Sequence, residues 1–496
     1  MLVPSPLLQS ILLPILIAIP TGLFGKRLGR KSGWIAFAAL LYSTTLLSLV
    51  SLDFAKTLTP FHEDYPWSGF IKLTFSFIAD GLSIPTAITM ALMGVSITIY
   101  SIQYMEKRIR ELYPEDRGGM YGIYYLNHLL LIAGLIGIAL STNTILLYLF
   151  LELTMIAAYL LMDFFGYGDR HRIAIMYFIW SHVGAGLFLI GLVLAYIKTG
   201  SFSISAISDL SGKPIALLVT FFIIIGLLIK MGAFGFHVWL PHVHGEHLAH
   251  IAGVIATLAG MSNYLLVRLL AINLPDVFRM FSMPLMIWAL VTMVYGAFLT
   301  LAQDDTKRLY ACSTISQNAY SLLGIASCTV LGIVGGIFYF ISHVLGKMIL
   351  LCIAGIILHQ TGLRDMNKMG GFARVMPLTA ALTVIGSMIL SAIPPLSGFQ
   401  AEWMMFLGIF RQGFHGSTIG LLIALIGIFA TFLTLIYTFW PVKRIFFGPL
   451  SNELENVKRA PYVMTIPLLI LAIISMILGI YPDILMRFLN SAISTS

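Results

Sequence analysis

Several ionisable side chains stand inside otherwise apolar stretches of this sequence. Glu152 lies in LLYLFLELTMIAAYLL, Lys230 in FFIIIGLLIKMGAFGF and Glu402 in PPLSGFQAEWMMF. His343 and Lys347 are four residues apart in SHVLGK, so on a helix they share one face. A charge at the centre of a membrane helix costs about 2.5–3.5 kcal/mol on insertion scales. Acids, lysines and histidines that recur through a membrane are what a proton relay requires, because each member must gain and lose a proton.

Each of these residues also has a structural interpretation. Glu152 and Lys230 could form a static buried ion pair, and His343 could bond a backbone carbonyl. Glu402 could stabilise the start of a half-helix that begins after Gly398, where an acid is favoured. Lys347 lies too deep in its span to reach the membrane surface. Taken together, the residues favour an ion path over a set of unrelated packing roles.

A second cluster follows Lys230 in the segment FHVWLPHVHGEHLAH. Its members are His237, His242, His244, Glu246, His247 and His250. A zinc helix carries two histidines four apart with the acid beside the first, and this spacing differs. Pro241 and Gly245 predict irregular backbone rather than a regular helix. We therefore expect no metal site here. We assign His237 and His244 to the ion path, and His242, His247 and His250 to a candidate proton relay at its inner mouth.

The composition is that of a membrane protein. Of 496 residues, 59% are hydrophobic and only 10% are charged, and the mean hydropathy is +0.94. A soluble domain carries about a quarter charged residues. The net charge of +8 is spread over helix ends rather than along one stripe, so nucleic acid is not an expected partner. Cys312, Cys328 and Cys352 lie far apart within apolar segments, so we expect no cofactor or redox centre in this chain.

The apolar segments predict an all-α polytopic membrane protein with about fourteen transmembrane helices, at about 20 residues per span. The predicted spans are 6–24, 34–51, 80–104, 121–141, 144–163, 173–197, 215–236, 249–271, 283–302, 309–330, 333–358, 376–410, 417–440 and 464–487. The range 376–410 is too long for one straight helix, and Pro394, Pro395 and Gly398 predict a break within it. Broken helices inside a membrane commonly mark a binding or transport site.

The distribution of basic residues predicts the orientation. Nineteen of the 29 lysines and arginines fall in the odd-numbered loops, which the positive-inside rule places in the cytoplasm. Both termini are therefore expected outside. Basic residues follow the first apolar segment instead of preceding it, so it is expected to be a retained helix rather than a signal peptide. The range 52–77 is predicted to be an outer loop.

Ordered motifs give the sequence a family resemblance. They are ADGLSIP at 79–85, YSIQYM at 100–105, FLELT at 150–154, IKMGAFGFHVWLPHVH at 229–244, DDTKRLYACSTISQNAY at 304–320, SHVLGK at 342–347, TGLRDMNKMGG at 361–371 and PPLSGFQAEW at 394–403. In this order they resemble the antiporter-like membrane subunits of complex I, of membrane-bound hydrogenase-related complexes and of Mrp-type sodium/proton antiporters. The resemblance covers about residues 75–445.

The resemblance implies a fold and a set of site residues. The family has two inverted five-helix repeats with broken helices 7 and 12. This implies helices 1–3 in 1–104, a first repeat in 105–271, a second in 272–445 and helix 14 in 446–496, all within one membrane domain. Glu152 and Lys230 resemble the central pair of one half-channel. His343, Lys347 and Glu402 resemble the ionisable residues of helices 11 and 12.

Two segments depart from the family pattern. The eighth predicted span has no lysine, although the family commonly has one linking the two half-channels, and Thr257 and Gly260 stand nearby. In the loop after helix 7, His242 replaces an acid, and His247 and Leu248 stand where a small residue and a proline are usual. His250 is a partial substitute near the inner end.

We interpret the chain as a proton- or sodium-translocating subunit without redox chemistry of its own. The expected partners are further antiporter-like and small membrane subunits, peripheral redox subunits if the assembly is complex I-like or hydrogenase-like, and lipid. A prokaryotic plasma membrane is the expected location. Two alternatives stay open at this point. One is a subunit of an Mrp-type antiporter without redox activity, and the other is a divergent structural copy that no longer conducts.

Overall fold

Helices account for most of the chain. The computed structural model describes residues 3–69, 73–416, 418–449 and 457–493, the side chains of 73 and 414–416 excepted. Within these residues the α-helices are α1 Pro6–Leu23, α2 Gly25–Leu28, α3 Ser32–Thr57, α4 Ser83–Leu112, α5 Arg117–Leu140, α6 Thr144–Phe165, α7 Arg170–Thr199, α8 Ile215–Met231, α9 Trp239–Glu246, α10 Ala249–Leu266, α11 Pro275–Met280, α12 Ser282–Leu301, α13 Thr306–Ala326, α14 Val330–Thr361, α15 Pro377–Leu390, α16 Ser397–Gly416, α17 Thr418–Phe446, α18 Tyr462–Ile480 and α19 Asp483–Ile493.

The lengths and composition of these helices establish a multi-pass membrane protein. Among the described residues, 11 helical segments are long and apolar enough to cross a membrane. Two further apolar helices, α8 and α15, are shorter. Large apolar side chains such as Ile179 on α7 and Phe429 and Phe432 on α17 are exposed on the outside of the bundle. Such a surface is stable only against lipid or against other membrane subunits. The predicted start of the thirteenth span, residue 417, lies outside the described residues.

The outer segment 52–77 is not the loop that the sequence predicts. The helix α3 continues to Thr57, and β1 Phe61–Ser68 then pairs antiparallel with β2 Leu73–Ala79. The alternation of small polar and large apolar residues in LTFSFIA is the period of a half-buried strand. The carboxylate of Glu63 accepts hydrogen bonds of 2.9 Å from the backbone N–H groups of Leu7 and Leu8, which fixes the hairpin to the first turn of α1.

Two membrane helices are interrupted. The helix α8 ends at Met231, and Gly232 follows with φ 70°, the left-handed conformation in which glycine commonly ends a helix. The helix expected over 376–410 is broken as predicted, because α15 ends at Leu390 and α16 begins at Ser397.

The segment after α8 corrects one expectation. Residues Trp239–Glu246 form the short helix α9, although Pro241 and Gly245 predicted irregular backbone. Pro241 lies in the first helical turn, where its missing N–H would have no intrahelical partner in any case. Gly245 lies in the last turn, against the side chain of Arg308. Both residues are therefore compatible with a helix of this length.

The centre of the bundle consists of α10, α13 and α14. Every residue of α10 is buried, as is every residue of α13 except Arg308, and α14 is buried over most of its length. The helix α13 carries many polar side chains and is packed against α12 and α14. The predicted boundary at 104 falls inside α4, so the first segment and the next share one continuous helix.

Candidate ion-translocation site

The first part of the site lies between α6, α7 and α8. Glu152 on α6 is partly buried, and its Oε2 lies 3.7 Å from Nε2 of His182 on α7. Its other oxygen is buried without a hydrogen-bond partner in the described part of the chain. Lys230, in the last turn of α8, packs its side chain against Gly184 of α7. Lys230 is 8% exposed and lies within electrostatic range of Glu152.

The static ion pair considered for these two residues is absent. Among the described residues, no acid lies within 4 Å of the ammonium group of Lys230. Glu152, the acid whose charge acts on Lys230, contacts His182 instead. Two charges held near each other without a direct bond can be separated or joined at small cost. Proton transfer requires charged groups that can separate, whereas an ion pair that only holds two helices together does not.

The second part of the site is completely enclosed. His343 and Lys347 lie on one face of α14, as their spacing predicts, and His244 of α9 lies within electrostatic range of both. Both ring nitrogens of His244 and both of His343 are buried without a hydrogen-bond partner in the described residues. Buried polar atoms in native proteins are nearly always bonded, to protein or to water. Four unpaired nitrogens around one lysine therefore indicate a hydrated path or a route for a mobile proton.

Lys347 is held by α13. Its ammonium group donates to the backbone carbonyl of Tyr310 at 3.0 Å and to the hydroxyl of Ser313. It is 1% exposed, and no acid lies in salt-bridge contact with it among the described residues. A buried ammonium without a counter-ion is costly, so neutral partners on α13 stabilise it only in part.

A separate chain of hydroxyl and amide groups lies between α13, α14 and α17, within electrostatic range of Glu402. Tyr339 donates to Oε1 of Gln317 at 2.8 Å, and Nε2 of Gln317 donates to the hydroxyl of Tyr437 at 2.6 Å. Beside them, the hydroxyls of Tyr320 and Thr434 are 2.8 Å apart. Tyr320, Tyr339 and Tyr437 all lie within electrostatic range of Glu402. The chain connects α13, α14 and α17.

Glu402 lies on the second half of the broken helix. It is 8% exposed and lies beyond the first turn of α16, so it does not cap that helix. A groove of about 430 Å³ opens beside it, lined by apolar residues that include Phe399, Trp403 and Phe406. The described residues provide no hydrogen bond to its carboxylate.

The histidines after Lys230 separate into different environments. His242 is exposed and lies apart from the buried groups. His237 is partly buried, with Nε2 3.1 Å from the hydroxyl of Tyr295. In His247, Nε2 donates to the carbonyl of Ala158 at 3.2 Å, and Nδ1 accepts from the N–H of Leu248 at 2.9 Å. Both ring nitrogens of His247 are therefore engaged by backbone, which fixes a neutral ring in place.

An ionic cluster lies where the end of α9 meets the start of α13. Arg364 bonds Glu246 at 2.8 Å and Asp305 at 2.7 Å. Burial opposes the charge on Arg364, but these acids outweigh it and hold the pKa of Arg364 above its ordinary value. Lys307, which the sequence places in an inner loop, is completely buried in the first turn of α13 and donates to the carbonyl of His247. This cluster joins the end of α9 to the start of α13.

A buried ion pair next to the hairpin is a feature that sequence reasoning missed. Arg268, in a π-helical turn at Val267–Ala271, makes a bidentate contact with Asp80 at 2.7 and 2.8 Å. Burial raises the pKa of Asp80, but the charge of Arg268 and backbone N–H groups outweigh it, and the pKa is lowered to about 2. A polar cavity of about 460 Å³ adjoins Arg268 and the hairpin.

The polar stripe of α13 was also missed. Ser313, Gln317 and Tyr320 recur at intervals of three and four residues in CSTISQNAY, so they share one face of a helix. That periodicity was visible in the sequence. A function could not be assigned to this helix face, because polar residues on a single helix do not show which neighbouring side chains they contact.

Comparison with known proteins identifies the family of the chain. Residues 141–434 match the family described as NADH:quinone oxidoreductase/Mrp antiporter, transmembrane, and residues 67–111 match the complex I chain 5 N-terminus. Among curated relatives, NAD(P)H-quinone oxidoreductase chain 4-2 of Synechocystis sp. is 30% identical over 91% of this chain and 80% of its own length. A Na(+)/H(+) antiporter subunit of Alkalihalophilus pseudofirmus is 28% identical over 97% of this chain and 61% of its own length.

Solved structures share the fold. A chain of the Mrp complex from Dietzia sp. superposes with a TM-score of 0.87 at 18% identity, covering 100% of this chain and 98% of that one. A chain of respiratory complex I from Thermus thermophilus gives 0.84 at 21% identity, covering 98% of each chain. A chain of the archaeal membrane-bound sulfane sulfur reductase gives 0.81 at 26% identity, covering 97% of this chain and 77% of that one. The chain is therefore an antiporter-like, ion-translocating membrane subunit of the family that serves complex I, Mrp antiporters and related multisubunit respiratory complexes.

Proposed function

We propose that this chain translocates protons, or sodium ions coupled to protons, for a respiratory complex of the complex I or membrane-bound hydrogenase type. The path runs from Glu152 and Lys230 through His244, His343 and Lys347 to Glu402. The observation that carries the proposal is the enclosed group formed by His244, His343 and Lys347, in which four ring nitrogens lack partners among the described residues. The relatives named as quinone oxidoreductase chains at 30% identity support a redox-driven assembly.

In the proposed mechanism, the position of the Glu152 carboxylate controls the release of a proton from Lys230 toward Glu402. When Glu152 moves toward Lys230, the lysine retains its proton; when Glu152 turns toward His182, the lysine releases it toward His244. The proton then passes by His343 and Lys347 along the hydroxyl chain to Glu402. Moving one charge against 100 mV takes about 2.3 kcal/mol. A change of one or two pKa units at a buried group, about 1.4 kcal/mol each, is on that scale.

The topology that we propose has fourteen crossings. To the 11 long helical segments we add three crossings: α8, the broken helix formed by α15 and α16, and the buried helix α13. The helices α5–α10 and α12–α17 each contain one broken helix in the fourth position, which supports two inverted repeats. We place both termini outside, in the plasma membrane of a prokaryote, from the distribution of basic residues.

Ion pumping in vesicles tests the proposal. Vesicles carrying the purified assembly are compared for wild type, Lys230→Ala and Glu402→Gln, with proton and sodium uptake both recorded. We expect each variant to lose at least nine-tenths of uptake while the assembly stays intact. Lys198→Ala and Glu115→Gln make the same chemical changes at exposed positions and are expected to pump normally. Normal pumping by Lys230→Ala and Glu402→Gln would show that this subunit is a structural copy.

The alternative assembly is an Mrp-type antiporter, which the fold of the Dietzia chain and the identity to the Alkalihalophilus antiporter both favour. The same vesicles separate the two. Uptake that requires an electron donor supports the redox-driven complex. Uptake driven only by an imposed sodium or proton gradient supports the antiporter.

A further inference from the structure

A second buried polar series lies outside the path described above, between α4, α5 and α10. It starts at the loop after α6, where the hydroxyls of Tyr167 and Tyr104 are 2.7 Å apart. The rings of Tyr104 and His250 are in edge contact, with centroids 5.0 Å apart. Nε2 of His250 is 2.6 Å from the hydroxyl of Tyr124. The series therefore links the loop to the first turn of α10 and then to α5.

The series continues toward the middle of the membrane. The ring of Tyr124 stacks against His128 with centroids 5.8 Å apart, and Nε2 of His128 is 2.7 Å from the hydroxyl of Thr98. His128 is eleven residues beyond the first residue of α5, Arg117. At 1.5 Å per residue this is a depth of about 16 Å, roughly half of the bilayer core of about 30 Å. Tyr124, His128, His250 and Thr98 are all fully buried.

The bonding of the two histidines differs from that of a packing histidine. In His250 and in His128 one ring nitrogen meets a hydroxyl, while Nδ1 is buried with no partner in the described residues. His247, three residues before His250, has both nitrogens satisfied by backbone. An imidazole that meets a hydroxyl on one side and has a free nitrogen on the other can accept a proton at one nitrogen and release one from the other. His247 lacks that freedom.

The mouth of the series is polar and open. A cavity of about 200 Å³ adjoins Tyr104 and Tyr167 and is lined also by Lys107, Arg108, Glu111 and His359. The side chain of Glu111 is exposed at this surface, whereas both ring nitrogens of His359 are buried without a hydrogen-bond partner among the described residues. The guanidinium of Arg108 lies 3.9 Å above the ring of Tyr167, and the ammonium of Lys307 lies 4.4 Å from the same ring. These cations hold Tyr167 in position beside Tyr104.

The inner end of the series also approaches the first path. His250 lies within electrostatic range of His247 and Lys307 as well as of His128, and His247 lies in the same relation to His244. His244 belongs to the enclosed group around Lys347. A positive charge on His250 would therefore act on Lys347 through His247 and His244. The helix α10 of this chain has no lysine of its own.

We propose that Tyr167, Tyr104, His250, Tyr124 and His128 form a proton-uptake path from the inner cavity to the middle of the membrane. The path rests on the proposed function, since it supplies protons to the same translocation. Direct hydrogen bonds carry the proton between Tyr167 and Tyr104 and between His250 and Tyr124, whereas Tyr104–His250 and Tyr124–His128 are ring contacts. In the proposal, a water molecule or a rotation of the tyrosine side chain carries the proton across these two ring contacts, and no group is oxidised or reduced.

The decisive comparison uses two adjacent tyrosines of α5. Tyr124→Phe removes the hydroxyl that bonds His250, whereas Tyr125→Phe removes an equally buried hydroxyl that bonds only Ser101 at 3.1 Å. Proton uptake per turnover is measured in vesicles carrying the intact assembly. We expect Tyr124→Phe to lower proton uptake at least fivefold and Tyr125→Phe to change it less than twofold. His250→Phe is expected to match Tyr124→Phe, and His250→Ala is expected to recover part of the uptake when imidazole is added.

The outcomes separate this inference from the proposed function. Equal uptake by Tyr124→Phe and Tyr125→Phe, with Lys230→Ala inactive, would overturn the second path and leave the first intact. Unchanged uptake in Lys230→Ala would overturn the proposed function instead. If Tyr124→Phe does not assemble, Tyr104→Phe provides the same test at the next contact. Normal uptake by that variant would equally contradict the path.

Discussion

At the scale of single residues, bonding state distinguishes mobile from structural groups better than residue type does. His247 and His244 are three residues apart and both fully buried, yet the first has both ring nitrogens on backbone and the second has neither paired within the described residues. The sequence predicted a relay role for both. It could not separate them because a histidine's hydrogen-bond partners, Ala158 among them, come from distant parts of the chain.

Ser313 gives a prediction about Lys347. Ser313→Ala removes the hydroxyl that Lys347 donates to and leaves the ammonium with the carbonyl of Tyr310 only. A hydrogen bond to a charged group contributes about 1.5–3 kcal/mol, so the charged form of Lys347 loses support. We expect pumping to fall about tenfold in the vesicle assay. Ser321→Ala is the matched control, because that hydroxyl donates to the carbonyl of Gly336. Equal effects of the two changes would contradict a special role for Ser313.

The buried ion pair of Asp80 and Arg268 gives a prediction about stability and pH. The pKa of Asp80 is lowered to about 2, so its ionised form stabilises the fold above the unfolded value near 4. That contribution is lost as the pH falls from about 4 to about 2. Asp80→Asn leaves Arg268 buried without its partner, which costs about 3–5 kcal/mol. Thermal unfolding of the assembly in detergent at pH 7 should show a clear loss of stability, absent in the exposed control Asp64→Asn. A wild-type midpoint unchanged by the Asp80 substitution would contradict this role.

At the scale of elements, the break between α15 and α16 was predictable, whereas the contacts made by the polar face of α13 were not. Pro394, Pro395 and Gly398 stand together, and proline and glycine act locally, so the break between α15 and α16 could be predicted from the sequence. The hairpin of β1 and β2 carried its alternation in LTFSFIA, but the segment 52–77 was predicted as a loop between two spans. The contacts of α13 depend on α14 and α17, which no local pattern specifies.

Gln317 tests the function of the α13 stripe. Gln317→Met keeps the length of the side chain but removes both the acceptor for Tyr339 and the donor to Tyr437. The hydroxyl chain toward Glu402 is then interrupted, and we expect uptake to fall at least fivefold. Leu322→Met changes a neighbouring buried side chain at nearly constant volume and serves as the control. If uptake by Gln317→Met equals that of the control, protons do not use this chain.

At the scale of the whole molecule, the sequence determined the class of fold and the structure adds the connections. The charged residues of the two halves are far apart in the chain, and α10, α13 and α14 bring them to one buried layer. The family resemblance predicted the main charged residues of the proposed path. It did not identify His182, Ser313 or His128, because their importance lies in contacts specific to this chain.

The orientation is testable with introduced cysteines. Asp209→Cys lies in an exposed segment after α7 and is expected outside, while Glu115→Cys lies in an exposed loop before α5 and is expected inside. The native Cys328 is partly exposed and is replaced by serine in both variants, whereas Cys312 and Cys352 are buried and provide little background. A membrane-impermeant maleimide applied to intact cells should label Asp209→Cys only. Labelling of Glu115→Cys alone would show that the orientation is the opposite of the one proposed.

The sheltered position of α13 has a consequence for biogenesis. This helix begins with Lys307 and Arg308 and carries serine, threonine, glutamine and asparagine through its middle, so it gains little by partitioning alone from the translocon into lipid. It meets α12 before it and α14 after it over most of its length. We therefore expect the three helices to leave the translocon as a unit, and α13 to stay outside the bilayer in a chain truncated before α14.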